Sequence, residues 1–362
     1  MTIPRGDSAA AAVVIDLPPN PAPIHRPTII PVFLPHAGCP HRCAFCNQET
    51  ITGQSDPAPA PDLATLAARF LREKPVSPRH VELAFYGGNF LGQPPHRVRS
   101  WLAEAQELVR QGWIGSVRFS TRPDTIDHRR LEWIAGGPVR TVEVGGQSMD
   151  DDVLSAAGRG HSARDTALAV ERLRRAKFRV GIQTMIGLPG QDSRSALISA
   201  GRFAALKPDF VRIYPCLVIA GSPLAAAYRR GTFQPLSLEA AVTTCARIWR
   251  LFARRHIPVI RMGLQASAEL CDGAHVLAGP YHAAFGHLVF SELCREALAR
   301  GLRRLPAAGR IVRITAHPRR LSQVRGLGNA NIHDLTRRFA LAGVRISGDP
   351  DGPRHRLRIA LD

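Results

Sequence analysis

Between residues 28 and 262, short apolar runs rich in β-branched residues alternate with stretches of helical periodicity. The runs fall at 28–34, 80–86, 116–120, 141–144, 180–186 and 210–214, with 259–262 as a seventh strand or a closing segment. Between them, 62–73, 95–110, 163–176, 194–206 and 236–255 read as helices. Such alternation calls for a parallel sheet, because a parallel crossover needs a dozen or more residues and a helix supplies them. The polar motifs fall directly after strands, at the end where (β/α) barrels assemble their sites. The expected fold is α/β, a partial (β/α)6 barrel over 26–270. An open doubly wound sheet is the runner-up, since alternation does not give strand order.

The loop after the first run carries Cys39, Cys43 and Cys46 in a C-x3-C-x2-C spacing. Three thiolates on one short loop suit three irons of a [4Fe–4S] cluster and leave the fourth iron open to another ligand. Zinc held by these cysteines and His41 is an alternative, although zinc sites usually pair their ligands in two separated groups. A disulfide framework fits poorly with seven cysteines in a long chain. Cys216, Cys245, Cys271 and Cys294 are scattered and read as buried core thiols.

The formal charge of the 362-residue chain is +19. That surplus is the footprint of a polyanionic partner, most often nucleic acid. Arginine replaces lysine almost throughout, as coding bias would do, but coding bias does not explain the excess of base over acid. Residues 271–362 hold 15 arginines against 7 acidic residues and read as a small basic α/β extension. Within it, 324–332 faintly resembles the G-x-x-G loop of RNA-binding KH domains; a glycine-rich turn before a helix is the other reading. Residues 1–25, rich in Pro and Ala, are expected to be a disordered lead-in. No apolar run approaches a membrane span and no signal peptide is recognisable, so a cytoplasmic, reducing location is expected.

Five further segments follow the strands in order: Tyr86-Gly87-Gly88-Asn89-Phe90, Ser120-Thr121-Arg122-Pro123-Asp124, Val142 to Ser148 with Arg159-Gly160-His161, Gln183 to Gly190, and Arg212 to Pro215. With the cysteine loop, this series resembles the radical S-adenosylmethionine superfamily. More narrowly, it resembles bacterial proteins related to the radical core of the Elongator catalytic subunit. The resemblance covers about 28–290, and the roughly 70 basic residues that follow are too few for that subunit's acetyltransferase-like domain.

The resemblance implies a radical S-adenosylmethionine enzyme. Its cluster, on Cys39, Cys43 and Cys46, would cleave S-adenosylmethionine to a 5′-deoxyadenosyl radical. It implies cofactor contacts at Phe45 (adenine), Gly87, Gly88 and Asn89 (the methionine amino group), Ser120, Gln147 (ribose), Arg159 (methionine carboxylate), Gln183, Gly187 and Leu188. Tyr214 is a candidate for relaying a proton or hydrogen atom. The implied substrate is tRNA, modified at the wobble uridine, with an external electron donor such as flavodoxin or ferredoxin. Two rivals stand beside this reading. One is an enzyme resembling oxygen-independent coproporphyrinogen oxidase, although the further cysteine usual there is absent after Cys46. The other is a non-catalytic iron–sulfur protein that binds RNA or carries electrons.

Overall fold

The computed structural model describes residues 12–17, 27–40, 42–47, 62–73, 77–264 and 275–362. It divides into two compact units: Asn20–Ala283, and a smaller one formed by Met1–Pro19 with Ala284–Asp362. In chain order the larger unit contains β2 (Thr28–Phe33), α1 (Leu63–Glu73), β3 (Val81–Tyr86), α2 (Pro95–Arg110), β4 (Ser116–Thr121) and α3 (His128–Ile134). It continues with β5 (Val139–Gln147), α4 (Asp151–Ala156), α5 (Ala163–Arg175), β6 (Arg179–Ile186), α6 (Ser193–Ala205) and β7 (Phe210–Pro215). It ends with β8 (Val218–Ile219), α7 (Pro223–Arg229), α8 (Leu238–Arg254), β9 (Val259–Met262) and β10 (Val276–Ala278). The strand that precedes these, β1 (Ala12–Asp16), belongs to the smaller unit.

Seven strands form one sheet in the order β2-β3-β4-β5-β6-β7-β9, and every neighbouring pair is parallel. Strand order therefore rises with the sequence and never reverses. A doubly wound sheet reverses at its switch point, so the winding is that of a partial barrel. The segment at 259–262 joins as the seventh strand, one more than the six units expected. The inner strands β3 to β7 are buried almost continuously, β5 most completely, as parallel strands covered on both faces must be. Helix starts are fixed locally: Asp127, Asp150, Ser162, Asp192, Ser222 and Ser237 each accept a backbone N–H of the helix that follows.

The smaller unit contains β1, α9 (Phe285–Leu302), β11 (Ile311–Ala316), α10 (Leu321–Arg325), α11 (Ala330–Arg338), β12 (Gly343–Gly348) and β13 (Arg356–Leu361). Its sheet order is β1-β13-β11-β12. Val312, Ile314, Leu357 and Ile359 pack with Cys294 and Leu298 of α9 into its core. Here the structure departs from the expectation for residues 1–25. Ala12–Asp16 is a strand, antiparallel to β13, with Ile15 packed on the core. Its alternating exposure covers an edge that β13 would otherwise leave open. The unit boundary falls at 283/284 rather than 270/271. The glycine loop at 326–329 is a turn between α10 and α11. Asn331 is buried beneath it and donates to Ser291 O and Gln323 O at 3.0 Å.

Candidate functional site

A cavity of about 580 Å³ opens among the C-terminal ends of the barrel strands. Cys39, Cys43 and Cys46 line it, on the loop that follows β2. That loop is fastened on two sides. Asn89 N donates to Ala37 O at 2.9 Å, and the Asn89 amide donates to Gly38 O at 2.9 Å. Ala44 N donates to Ala157 O, Leu224 N to Ala44 O, and Asn47 Nδ2 to Ala220 O. Gly88 lines the cavity and also lets the two loops touch: a Cβ there would lie 2.4 Å from Ala37 O. Gly38, at φ +76°, is held as closely, with a Cβ placed 2.3 Å from Asn89 O. No bulkier residue fits either position without moving backbone.

Two buried arginines face the thiols. Arg159 Nη1 donates to Cys43 Sγ at 3.0 Å and Nη2 to Gly145 O at 2.6 Å. Arg122 pairs with Asp124 and donates to Arg159 O. Burial, and next Cys43, push the Cys39 thiol up, while Arg122 and Arg159 pull it down. These cations favour thiolate over thiol, the form that binds iron.

The other sequence-predicted residues divide into two sets. Phe45, Gly87, Ser120, Gln147, Arg159, Gln183 and Tyr214 line the cavity with the cysteines and Gly88. Gln183 Nε2 donates to Ser120 Oγ at 3.3 Å, joining β6 to β4. Asn89, Gly187 and Leu188 do not line it. Asn89 is fully buried, and its Oδ1 accepts from Thr121 Oγ1, Thr125 Oγ1 and Arg122 N, so it braces the loops. Leu188 packs in a small core with Met185, Cys216 and Leu224, against which Phe45 and Tyr214 also rest. Gly187 lies against Leu236. Cys216, Cys245 and Cys294 are buried free thiols, and burial pushes each up, Cys216 to about 12. His41 and Cys271 lie outside the described residues.

Five inward-facing side chains, Glu82, Tyr86, Arg118, Glu143 and Arg212, carry a network whose pairing the motifs do not reveal. Glu143 on β5 is fully buried; its Oε1 accepts from Arg118 Nη1 at 3.0 Å and Tyr86 OH at 3.2 Å and forms an ion pair with Arg212 Nη2 at 2.9 Å. Arg118 also pairs with Glu82. Tyr86 and Arg212 line the cavity. Burial, and next Glu143, push Tyr86 up to about 12, so its phenol stays a hydrogen-bond donor. The available signal was a charged residue at an inward position of an otherwise apolar strand, repeated at Glu82, Arg118, Glu143 and Arg212.

The residues fit both an iron–sulfur cluster and a nucleoside cofactor. Among the described residues no three His, Cys, Asp or Glu side chains converge closely enough to hold a single metal ion. A four-iron cluster is a larger body and spreads its thiolates farther apart. Gln147 stands at φ +61°, an uncommon conformation for a residue with a side chain. Its Oε1 is buried without a hydrogen-bond partner among the described residues, so the strained turn presents a free acceptor where a sugar hydroxyl can donate. A larger hollow of about 800 Å³, lined by Arg140, Arg172 and Lys177, lies at the start of β5, and none of the predicted residues reaches it.

Residues 33–197 match the family model for the radical SAM superfamily, and 208–295 match that for the Radical_SAM C-terminal domain. The tRNA uridine(34) acetyltransferase of Methanocaldococcus infernus is 28% identical over 254 residues, covering 59% of this chain and 47% of that protein. The enzyme of the same name from Dehalococcoides mccartyi is 23% identical over 290 residues, covering 67% and 62%. Elongator complex protein 3 of Danio rerio is 30% identical over 138 residues, covering 37% and 25%. The chain thus spans about half the length of the first of these relatives. Among solved structures, archaeal Methanocaldococcus infernus Elp3 superposes with a TM-score of 0.60 at 22% identity, covering 76% of this chain and 64% of that one, which establishes a common fold. The two family models together cover more than half of the sequence, and the cavity lies within their span: the chain belongs to the radical S-adenosylmethionine superfamily, whose cofactors, a [4Fe–4S] cluster and S-adenosylmethionine, are its own.

Proposed function

We propose that the chain is a tRNA-modifying enzyme whose chemistry resembles Elongator action on the wobble uridine. The observation that carries this is the convergence of three cysteines with the ends of β3 to β7 on one cavity. In this reading Cys39, Cys43 and Cys46 hold three irons. Arg159 orients the methionine carboxylate, a role suited to its planar fork. Gln147 accepts from the ribose, Gly87 and Gly88 admit the methionine amino group, and Phe45 packs on adenine. Gln183 and Ser120 complete that wall, and Asn89, Gly187 and Leu188 support it from behind. The bound cofactors supply the electron-driven cleavage that yields 5′-deoxyadenosine chemistry; the protein orients and excludes water. Tyr86, Arg212 and Tyr214 form the facing wall, where substrate would enter.

The tRNA substrate is supported by the names of the relatives and by the net charge of +19. The coproporphyrinogen oxidase-like alternative is not favoured, since two of the relatives are named tRNA uridine(34) acetyltransferase. An external electron donor such as flavodoxin or ferredoxin, and a reducing cytoplasm, complete the proposal. Among the described residues no helix is long and apolar enough to cross a membrane.

The test is anaerobic reconstitution, reduction, and addition of S-adenosylmethionine with and without bulk tRNA, reading 5′-deoxyadenosine. Cleavage stimulated by tRNA is the expected result. Cleavage indifferent to tRNA removes the substrate assignment and keeps the chemistry. A full, reducible cluster that cleaves nothing refutes the enzymatic reading and leaves an iron–sulfur binding protein.

A further inference from the structure

Positive side chains outnumber acids around the cavity, and on β7 and β9 two of them stand side by side. Glu82 and Glu143 are the buried acids, and Arg118 pairs with both. Arg212 pairs with Glu143. Arg261, on β9, lines the cavity and has no hydrogen bond or ion pair among the described residues. No aspartate or glutamate is among the described residues lining that cavity.

Arg261 also stands directly beside another cation. Arg212 and Arg261 are register partners on the adjacent parallel strands β7 and β9, and both line the cavity. Like charges directly opposite on neighbouring strands are destabilising. Arg212 is held in place regardless: its Nη2 contacts Glu143 and Tyr86 OH, its Nη1 donates to Tyr214 OH at 3.4 Å, and its guanidinium lies 5.0 Å over the Tyr86 ring. Its Nε is buried with no partner among the described residues. Two guanidinium groups side by side, one neutralised and one not, beside a phenol, form a receptor with room for one negative charge.

We infer that Arg261, with Arg212 and Tyr214, is a subsite for an oxyanion of the substrate, a phosphate or a carboxylate, in this cavity. The inference rests on the proposed function only in supposing that the cavity receives a substrate as well as its cofactors. A phosphate would come from the nucleotide that enters the cavity, and a carboxylate from a small acid used with it.

The test needs no turnover, so it stands apart from whether the protein cleaves S-adenosylmethionine or responds to tRNA. Inorganic phosphate and carbon-13-labelled acetate are titrated separately into the anaerobically reconstituted, oxidised-cluster protein, with line broadening of each probe read by NMR. The same titrations are run on Arg261→Gln and Arg261→Lys. The expected result is that at least one probe binds the wild-type chain, weakens at least fivefold in Arg261→Gln, and largely recovers in Arg261→Lys. A response confined to phosphate assigns the subsite to a nucleotide, and one confined to acetate assigns it to a small acid. Binding undiminished in Arg261→Gln, or no binding of either probe to the wild-type chain, overturns the inference.

Discussion

Glu143→Ala is the substitution that best tests whether the interior network holds the barrel together. Glu143 is fully buried, accepts hydrogen bonds from Arg118 at 3.0 Å and Tyr86 at 3.2 Å, and pairs with Arg212 at 2.9 Å. Removing it leaves Arg118 with Glu82 but leaves Arg212 without an acid among the described residues. Breaking a buried pair from one side typically costs about 3–5 kcal/mol, because the remaining charge stays desolvated. In a unit of this size each kcal/mol moves the midpoint by about 2–4 °C, so the expected loss is roughly 6–20 °C. Glu143→Gln keeps an acceptor and should lose less. Glu143→Ala combined with Arg212→Met removes both charges, and should fall short of the summed single losses by about 1–3 kcal/mol. A chain with two units and a cluster does not melt in two states, so variants are compared as apparent midpoints at matched iron content. A Glu143→Ala midpoint within 3 °C or so of wild type, or strict additivity in the double variant, refutes the reasoning.

Asn89→Ala removes the amide that donates to Gly38 O and the oxygen that gathers Thr121, Thr125 and Arg122. We expect a loss of about 1–3 kcal/mol and a lower iron content after reconstitution; iron retained at the wild-type level contradicts a bracing role. His161 is lowered to about 4 by burial first, then by Arg159 and Arg122, against 6.5 for an ordinary histidine. Between those values the unfolded chain binds the extra proton, so stability is full above pH 6.5 and falls as pH drops toward 4. The expected contribution is about 3 kcal/mol over that window, and His161→Asn should flatten the slope in a series of denaturation midpoints. Ala340 is exposed at φ 47°, where a side chain is unfavourable. Ala340→Gly should stabilise the smaller unit by about 0.5–1 kcal/mol, read as about two- to fivefold slower amide exchange in β11 and β13; faster exchange refutes it.

What the sequence revealed depended on how locally each feature is encoded. The cysteine loop and the glycine motif are short runs whose residue types carry their meaning, and the cavity gathers both. Alternation gave the parallel strands but not their order, which the structure supplies by laying each strand beside its predecessor. The pairing of β1 with β13 was not legible, since Asp16 and Arg356 meet only through the fold and the segment around them is rich in Pro and Ala. Asn89, Gly187 and Leu188 illustrate the opposite limit. They sit in the right motifs, but one buried side chain faces the neighbouring loop and another packs into the core behind the cavity wall. A motif fixes the backbone path, and the direction of each side chain within it is set by tertiary packing.

The charged interior has a physical reason tied to the open barrel. A closed barrel fills its centre with layers of branched apolar side chains. Here β2 and β9 are the two edges of the sheet, and the inward positions of β3, β4, β5, β7 and β9 carry Glu82, Arg118, Glu143, Arg212 and Arg261. Buried charge of this kind seldom adds stability over an apolar core, so its retention points to the ligand rather than to the fold. Four of the five charges compensate one another within the protein. The fifth, Arg261, lies beside Arg212 with no acid near it among the described residues. If its role were structural, Arg261→Gln would lower stability. If it awaits a substrate oxyanion, removing it relieves a like-charge pair, and the ligand-free midpoint should hold or rise while anion binding is lost. Only the structural role predicts a fall, so one melting curve of the variant separates them.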